Sequence, residues 1–385
     1  MDDSPLAGFG IDRFLRECWQ KQPLVLRGVA PALGAALGRA ELVDLACRDD
    51  VESRLVTRNG RRWDLRHGPF RRRDFARLPA RNWTLLVNGV DQWVPAARAL
   101  QTAFDCIPYA RHDDVMVSYA APGGGVGPHF DSYDVFLLQG AGTRRWQIGN
   151  QRDLAVIEGA PLRILRRFRP QRDLLMHSGD LLYLPPAYAH DGVAAGECLT
   201  WSVGMRAPRQ REFATRFLDF LQDRWSADAL YADPGLRRQT HPAEIGPAMR
   251  RRMRRMLAAL RWSDADIDTC LGELLSEPRQ NVVFTPARPL GAAAFARRCR
   301  MHGLRLDPRT RLLFDRRRFF INGESVTVEP ADAGLLRRLA DTRVLPADAR
   351  PTRPTLTLLL EWYRCGYAAF GAPVPAAPAG ATRQR

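Results

Sequence analysis

The chain predicts an α+β architecture: a β-barrel or sandwich, then a helical stretch, then helices carrying a small hairpin. Three observations support this. From Val115 to Ser202, short apolar runs are divided by Gly and Pro, as in an all-β barrel or sandwich. At Pro208 the period changes, and Phe213, Phe217, Phe220 and Leu221 recur at helical spacing, as do Met249, Met253, Met256, Leu257 and Leu260. Beyond about Pro286, apolar helical runs flank Asn322-Gly323, a strong hairpin signal.

Taken in order, Ile11–Gln20 reads as a short helix with Phe14, Leu15, Cys18 and Trp19 on one side. Pro23–Leu26 reads as a strand, Leu42–Cys47 as a helix, and Ser53–Thr57 and Trp63–Arg66 as short strands. Trp83–Asn88 is a strand and Asp91–Phe104 a helix. The barrel strands are Val115–Ala120, Asp134–Gln139, Arg144–Ile148, Asp173–Met176, Asp180–Leu184 and Cys198–Val203. Three helices fill Arg209–Glu277, the last opened by a capping box of Ser263 and Asp266 with Trp262 and Ile267 placed to staple it. Leu290–Met301 is helical; strands follow at Arg311–Phe314, Phe319–Ile321 and Ser325–Val328, then helices at Asp332–Ala340 and Thr355–Tyr363. The expected domains are 1–208, 209–280 as a helical dimerisation or packing region, 281–370 as a winged-helix-like module, and 371–385 as a Pro/Ala/Gly-rich disordered tail. A bundle folded against the barrel of the same chain is the other reading of 209–280.

At 385 residues the chain can bury a sizeable core. Its formal charge of +16 suggests an acidic partner such as nucleic acid. That signal is discounted, because Lys21 is the only lysine and abundant Ala, Gly, Pro and Arg together reflect a GC-rich genome. The cysteines (Cys18, Cys47, Cys106, Cys198, Cys270, Cys299, Cys365) never form Cys-x-x-Cys, which fits reduced thiols in a cytoplasm. The segment MDDSPLAGFGID has no apolar h-region, so no signal peptide is expected. No run approaches the roughly 18 apolar residues of a membrane span.

The chemistry centres on His129 and Asp131, a His-x-Asp pair. On an extended strand, residues two apart point the same way and lie about 7 Å apart along it. Such a pair arises by chance in many chains. His190, however, follows in LLYLPPAYAHDG, on a further strand past a Pro-Pro turn. Two His and one carboxylate form the ligand set of non-haem Fe(II) oxygenases, which leaves positions open. His177 competes with His190 but sits at a turn, where exposure is expected.

After Asp134–Gln139 the chain reverses into Arg144-Arg-Trp-Gln-Ile, and alternation sets Arg144 with Trp146 and Ile148 on the inner face. An inward arginine is costly unless it meets an anion. That anion is either a bound carboxylate or a structural partner. Ser118 shares a face with Met116 and either helps to hold a co-substrate or lines the core. Gly123–Gly127 precedes a strand and not a helix, so it reads as a flexible lip and not a phosphate loop. Asp134 either pairs with a substrate guanidinium or caps its strand. Arg250–Arg255 reads as a solvated helix face.

Four blocks resemble one family: FLRECWQKQPLVLRG (Phe14 to Gly28), PGGGVGPHFDSYDVFLLQGAGTRRW, LPPAYAHDG and SVGMRAP. In this order, to Pro208, they are similar to the bacterial JmjC-type ribosomal oxygenases. These are cupin-fold, 2-oxoglutarate-dependent arginine hydroxylases of a large-subunit ribosomal protein. Beyond Pro208 only the layout resembles them. The resemblance implies a double-stranded β-helix (cupin/JmjC) barrel with His129, Asp131 and His190 as the catalytic Fe(II) ligands. It further implies Arg144 as the 2-oxoglutarate-binding residue, O2 as the oxidant, and an arginyl side chain of a ribosomal protein as substrate. Histidine hydroxylation by related oxygenases leaves the target residue open. A homodimer in the cytoplasm and proximity to RNA on the ribosome are further expectations. The residues alone leave two alternatives. One is a metal-binding cupin of another activity, such as an isomerase. The other is a small-molecule-sensing DNA-binding regulator, for which Asp332–Ala340 offers only Arg337 and Arg338.

Overall fold

The computed structural model describes residues 4–60, 62–225, 230–279 and 281–371. The tail expected to be disordered lies almost wholly outside these residues. The chain forms two compact units: one of 1–207, 278–310 and 328–385, the other of 208–277 and 311–327.

In the first unit, helix α1 (Ile11–Glu17) and strand β1 (Leu24–Leu26) precede α2 (Arg39–Ala46), β2 (Ser53–Asn59), β3 (Arg62–His67), α3 (Arg72–Ala76) and β4 (Trp83–Val87). Then come α4 (Pro95–Thr102), β5 (His112–Ala120), β6 (Asp134–Ala141), β7 (Arg144–Gly149), β8 (Arg172–Met176), β9 (Leu181–Leu184), β10 (Ala189–Ala194) and β11 (Cys198–Met205). An antiparallel sheet runs β1-β9-β6-β11-β5-β4-β2-β3, and a smaller one runs β10-β7-β8.

The central strands read as unbroken apolar runs because each face buries against a different core. On β6, Phe136 and Leu138 join the core that holds Phe14, Phe104 and Trp201, while Val135 and Leu137 face inward to Trp146, Ile148 and Met176. Strand β9 divides the same way, with Leu181 and Tyr183 on one side and Leu182 and Leu184 on the other. Burial of each such side chain stabilises by roughly 1.5–3 kcal/mol.

Every expected barrel strand is present, with boundaries shifted by one to three residues. Two expectations need correction. The helix expected over Asp91–Phe104 is a short 3-10 turn followed by α4, because Pro95 cannot donate to an earlier carbonyl and sits instead at the helix start. His129 and Asp131 are not on a regular strand. His129 makes a single bridge to His190, and Asp131 lies in the irregular backbone just before the bend at Ser132 and Tyr133.

The first unit also holds α8 (Ala292–His302), α9 (Ala333–Thr342) and α10 (Arg353–Arg364) around a three-stranded sheet. That sheet is built from β12 (Leu304–Leu306) between β16 (Val344–Leu345) and β17 (Ala368–Phe370). The second unit comprises α5 (Gln210–Arg224), α6 (Pro247–Ala258), α7 (Asp264–Ser276) and the strands β13 (Leu312–Phe314), β14 (Phe319–Ile321) and β15 (Glu324–Val326). Asn322 and Gly323 turn β14 into β15 with positive φ of 50° and 92°, as their residue types foretold. The α7 capping box forms: Ser263 N donates to Asp266 at 2.8 Å, and Asp266 N donates to the Ser263 hydroxyl at 3.3 Å. Phe213, Phe217 and Phe220 stack along α5 and bury against Leu221 and Cys270. Among the described residues, no helix is long and apolar enough to cross a membrane.

Candidate metal and co-substrate site

The bridge between His129 and His190 builds the site. His129 N donates to His190 O at 2.9 Å, and His190 N donates to His129 O at 2.8 Å, which brings the two rings to 4.2 Å between centroids. Asp131 is tied in by its own carbonyl, which accepts from Ala187 N at 2.7 Å in the turn after the Pro-Pro pair. Glycines let the backbone come this close. A Cβ on Gly124 would lie 2.2 Å from the Trp83 carbonyl, and one on Gly125 would lie 2.6 Å from that of Gly192. The expected flexible lip is therefore a packed segment, paired to β10 through Gly123 N to Ala194 O and Ala194 N to Gly124 O.

One ligand atom each from His129, Asp131 and His190 lies within 4.8 Å of the others, and His190 Nε2 is 3.6 Å from Asp131 Oδ2. In both imidazoles Nδ1 faces a carbonyl, that of Gly127 at 2.8 Å for His129 and that of Tyr188 at 2.9 Å for His190. Donation to those carbonyls places the proton on Nδ1 and leaves Nε2 with a free lone pair, the form a metal needs. Burial, and then the neighbouring His129, hold His190 well below the ordinary imidazole range, so its ring stays neutral. The donor set thus fits a hard or borderline divalent ion held on one face. His177 is exposed and His112 bonds the Phe104 and Ile107 carbonyls, so neither joins the cluster.

The triad opens on a cavity of about 270 Å³ that Ser118 and Arg144 also line. Arg144 is 3% exposed, on the inner face with Trp146 and Ile148 as alternation requires, while Arg145 turns outward to Asp173 at 2.7 Å. Its Nη1 donates to Ser118 Oγ and Thr200 Oγ1, both at 3.1 Å, and Nη2 donates to Gly192 O at 3.2 Å. No carboxylate among the described residues hydrogen-bonds to it, although the buried Asp191 attracts it at longer range, and its Nε has no partner among them. Burial pushes the Arg144 guanidinium down from its ordinary value. A desolvated cation with only neutral partners is the seat for an anion. Sequence reasoning missed Thr200 and the Gly192 carbonyl. The one available signal is strand register, which sets Thr200 opposite Ser118. Asp134 is not at the site: it is fully buried and accepts from Tyr183 Oη at 2.6 Å and Gln20 Nε2 at 2.9 Å.

A barrel with such a triad beside a buried arginine defines the JmjC class of cupin oxygenases, and residues 99–213 match the JmjC domain family while 259–369 match the ROXA-like winged helix. The chain is 36% identical over 279 residues to the ribosomal protein uL16 3-hydroxylase of Escherichia coli (strain K12), covering 72% of this chain and 74% of that protein. It is 43% identical over 200 residues to a probable ribosomal oxygenase of Haemophilus influenzae, spanning 49% of that protein's length. The solved structure of YcfD, a ribosomal oxygenase from Escherichia coli, in complex with cobalt and 2-oxoglutarate superposes with a TM-score of 0.80. The match is at 31% identity and covers 94% of this chain and 98% of that one. The chain belongs to the bacterial JmjC-type ribosomal oxygenases. Cobalt and 2-oxoglutarate are bound by the Escherichia coli relative; in this chain the cluster of His129, Asp131 and His190 could hold a metal ion.

Proposed function

We propose that this chain hydroxylates an arginyl residue of a large-subunit ribosomal protein. His129, Asp131 and His190 hold Fe(II), and Arg144, steadied by Ser118, takes the distal carboxylate of 2-oxoglutarate. The observation that carries the co-substrate role is Arg144, a buried cation in the triad's cavity that only neutral groups contact. An isomerase has no use for that cation. Fe(II) held by these three residues would activate O2, which would oxidise 2-oxoglutarate to succinate and CO2 with one of its oxygen atoms entering the succinate and the other a substrate C–H bond. The chain's own residues do the rest. The Nδ1 bonds of the two histidines fix the ligand tautomers, and Leu137, Val135 and Trp146 keep water from the cavity wall.

The substrate assignment is supported by the Escherichia coli relative, a 3-hydroxylase of ribosomal protein uL16. An arginyl target and a cytoplasmic setting beside ribosomal RNA complete the reading. Intact-mass analysis of ribosomal proteins from cells with and without this gene tests it. One large-subunit protein should differ by the mass of one oxygen atom, and fragmentation should place that oxygen on an arginine. Identical masses in both strains would reject the substrate, and oxygen on a histidine would reject the arginyl target.

The domain roles in this reading are catalysis by 1–208, self-association through 209–280 and a winged-helix-like module at 281–370. Self-association is supported by large apolar side chains that the second unit leaves in solvent, with Leu218 62% and Leu257 70% exposed. Light scattering of the full chain should give twice the monomer mass, and Leu218→Glu combined with Leu257→Glu should reduce it to the monomer. A monomeric unaltered protein would remove this role.

A further inference from the structure

A second cavity, of about 310 Å³, lies in the first compact unit, away from the metal-ligand cluster. Its walls come from the segment Asp91–Thr102, from residues 305–308 around the end of β12, and from Thr342, Arg343 and Val344 after α9. Arg98, Arg305 and Arg343 all line it, against one lining carboxylate, Asp91, which leaves an excess of two positive charges.

Asp91 is already engaged. One oxygen accepts from Val115 N at 3.0 Å, and the other is 3.4 Å from Arg98 Nη2. Arg98 Nη1 donates to Gln101 Oε1 at 2.8 Å and Nη2 to the Pro308 carbonyl, so its Nε is the one buried atom left without a partner among the described residues. Arg343 donates only to carbonyls, those of Asp307 at 2.7 Å and Thr310 at 3.0 Å, and both bonds leave from Nη2. Its remaining N–H groups have no partner among the described residues. Arg343 also holds φ at 64°, the left-handed position after a helix where glycine is the usual choice. Burial, and then the charge of Arg98, bring Arg343 down to about 9, so it remains a cation at neutral pH and gains from a nearby anion. The Arg305 side chain has no hydrogen-bond or ion-pair partner among the described residues, although it lines the same space. The lining also includes the apolar side chains of Trp93, Val94, Pro95 and Leu306; the Arg48 guanidinium lies 4.0 Å from the Trp93 ring centroid, so one face of the indole already holds a cation.

We propose that this cavity binds a nucleoside monophosphate, with the phosphate against Arg98, Arg305 and Arg343 and the base against the Trp93 wall. A phosphate monoester carries about −1.5 to −2 at neutral pH, which matches the excess charge. Arginine forks suit its oxygens, and an indole suits a base. The ligand is either a free nucleotide or the phosphorylated end of an RNA chain. The site does not depend on the hydroxylase reading.

Isothermal titration of the full chain with AMP, with inorganic phosphate and with a short 5′-phosphorylated RNA tests the assignment. AMP is expected to bind more tightly than phosphate. Arg305→Glu should weaken AMP by roughly ten- to a hundredfold, with the melting temperature and 2-oxoglutarate turnover unchanged. Arg343→Gly, which keeps the backbone conformation, should weaken it as well and serves if Arg305→Glu does not fold. AMP that fails to saturate at millimolar concentration, or that binds both variants as tightly as the unaltered protein, overturns the site. Phosphate as tight as AMP overturns the nucleotide assignment. Competition of the RNA with AMP would identify an RNA end as the source, and its absence a free nucleotide.

Discussion

His129→Ala and Asp131→Ala are each expected to abolish the conversion of 2-oxoglutarate to succinate by the Fe(II)-loaded protein. In the proposed site each residue offers one of the three protein donors found among the described residues, whose atoms lie within 4.8 Å of one another. Residues that merely orient metal ligands already cost about 10–100-fold when altered, so the loss here should be about a hundredfold at the least. Metal titration should show weakened binding in step with the lost turnover. His177→Ala is the control: that residue is exposed, its ring meets Thr143 Oγ1 at 3.4 Å, its backbone bonds to Asp180 survive the substitution, and turnover should stay intact. Full succinate production by either of the first two variants would take that residue out of the metal site.

The contrast between these histidines shows what the sequence makes legible. The triad was readable because its residue types sit in blocks whose order resembles a family. The geometry that joins them was not, because a single bridge between His129 and His190 leaves no periodic trace. Strand β10 carries His190 in AHDGVA, where Asp and Gly are poor strand formers and hide the pairing that Gly149 to Arg144 imposes. The short strands β12, β16 and β17 are two or three residues long, below the length at which alternation can be told from chance. Alternation did place Arg144 inward, since Trp146 and Ile148 on the same face admit only one orientation. Its partners depend on register between strands far apart in the chain, which local pattern does not encode. Pro95 was a visible breaker inside an otherwise helical run, and the structure obeys it.

Arg144→Met should leave Fe(II) binding intact and weaken 2-oxoglutarate by roughly ten- to a hundredfold, the loss of a charge-assisted pair of about 1.5–3 kcal/mol. The stability change distinguishes this role from a structural one by its sign. Had Arg144 neutralised a buried carboxylate, the substitution would strand that charge and lower stability by about 3–5 kcal/mol. Its bonds instead go to Ser118, Thr200 and the Gly192 carbonyl, all neutral. Without co-substrate the native protein therefore holds a desolvated cation at a cost that the longer-range attraction of Asp191 offsets only in part, and methionine in its place removes that cost. The variant should melt no lower than the unaltered protein when 2-oxoglutarate is absent. Added co-substrate should then separate the two. At a hundred times its dissociation constant a ligand stabilises the folded state by about 2.7 kcal/mol, and after a hundredfold loss of affinity the same concentration gives only about 0.4 kcal/mol. Melting curves of both proteins with Fe(II), with and without 2-oxoglutarate, measure all four quantities. A variant that melts far lower yet gains the full co-substrate shift would show that Arg144 holds the barrel together and not the ligand.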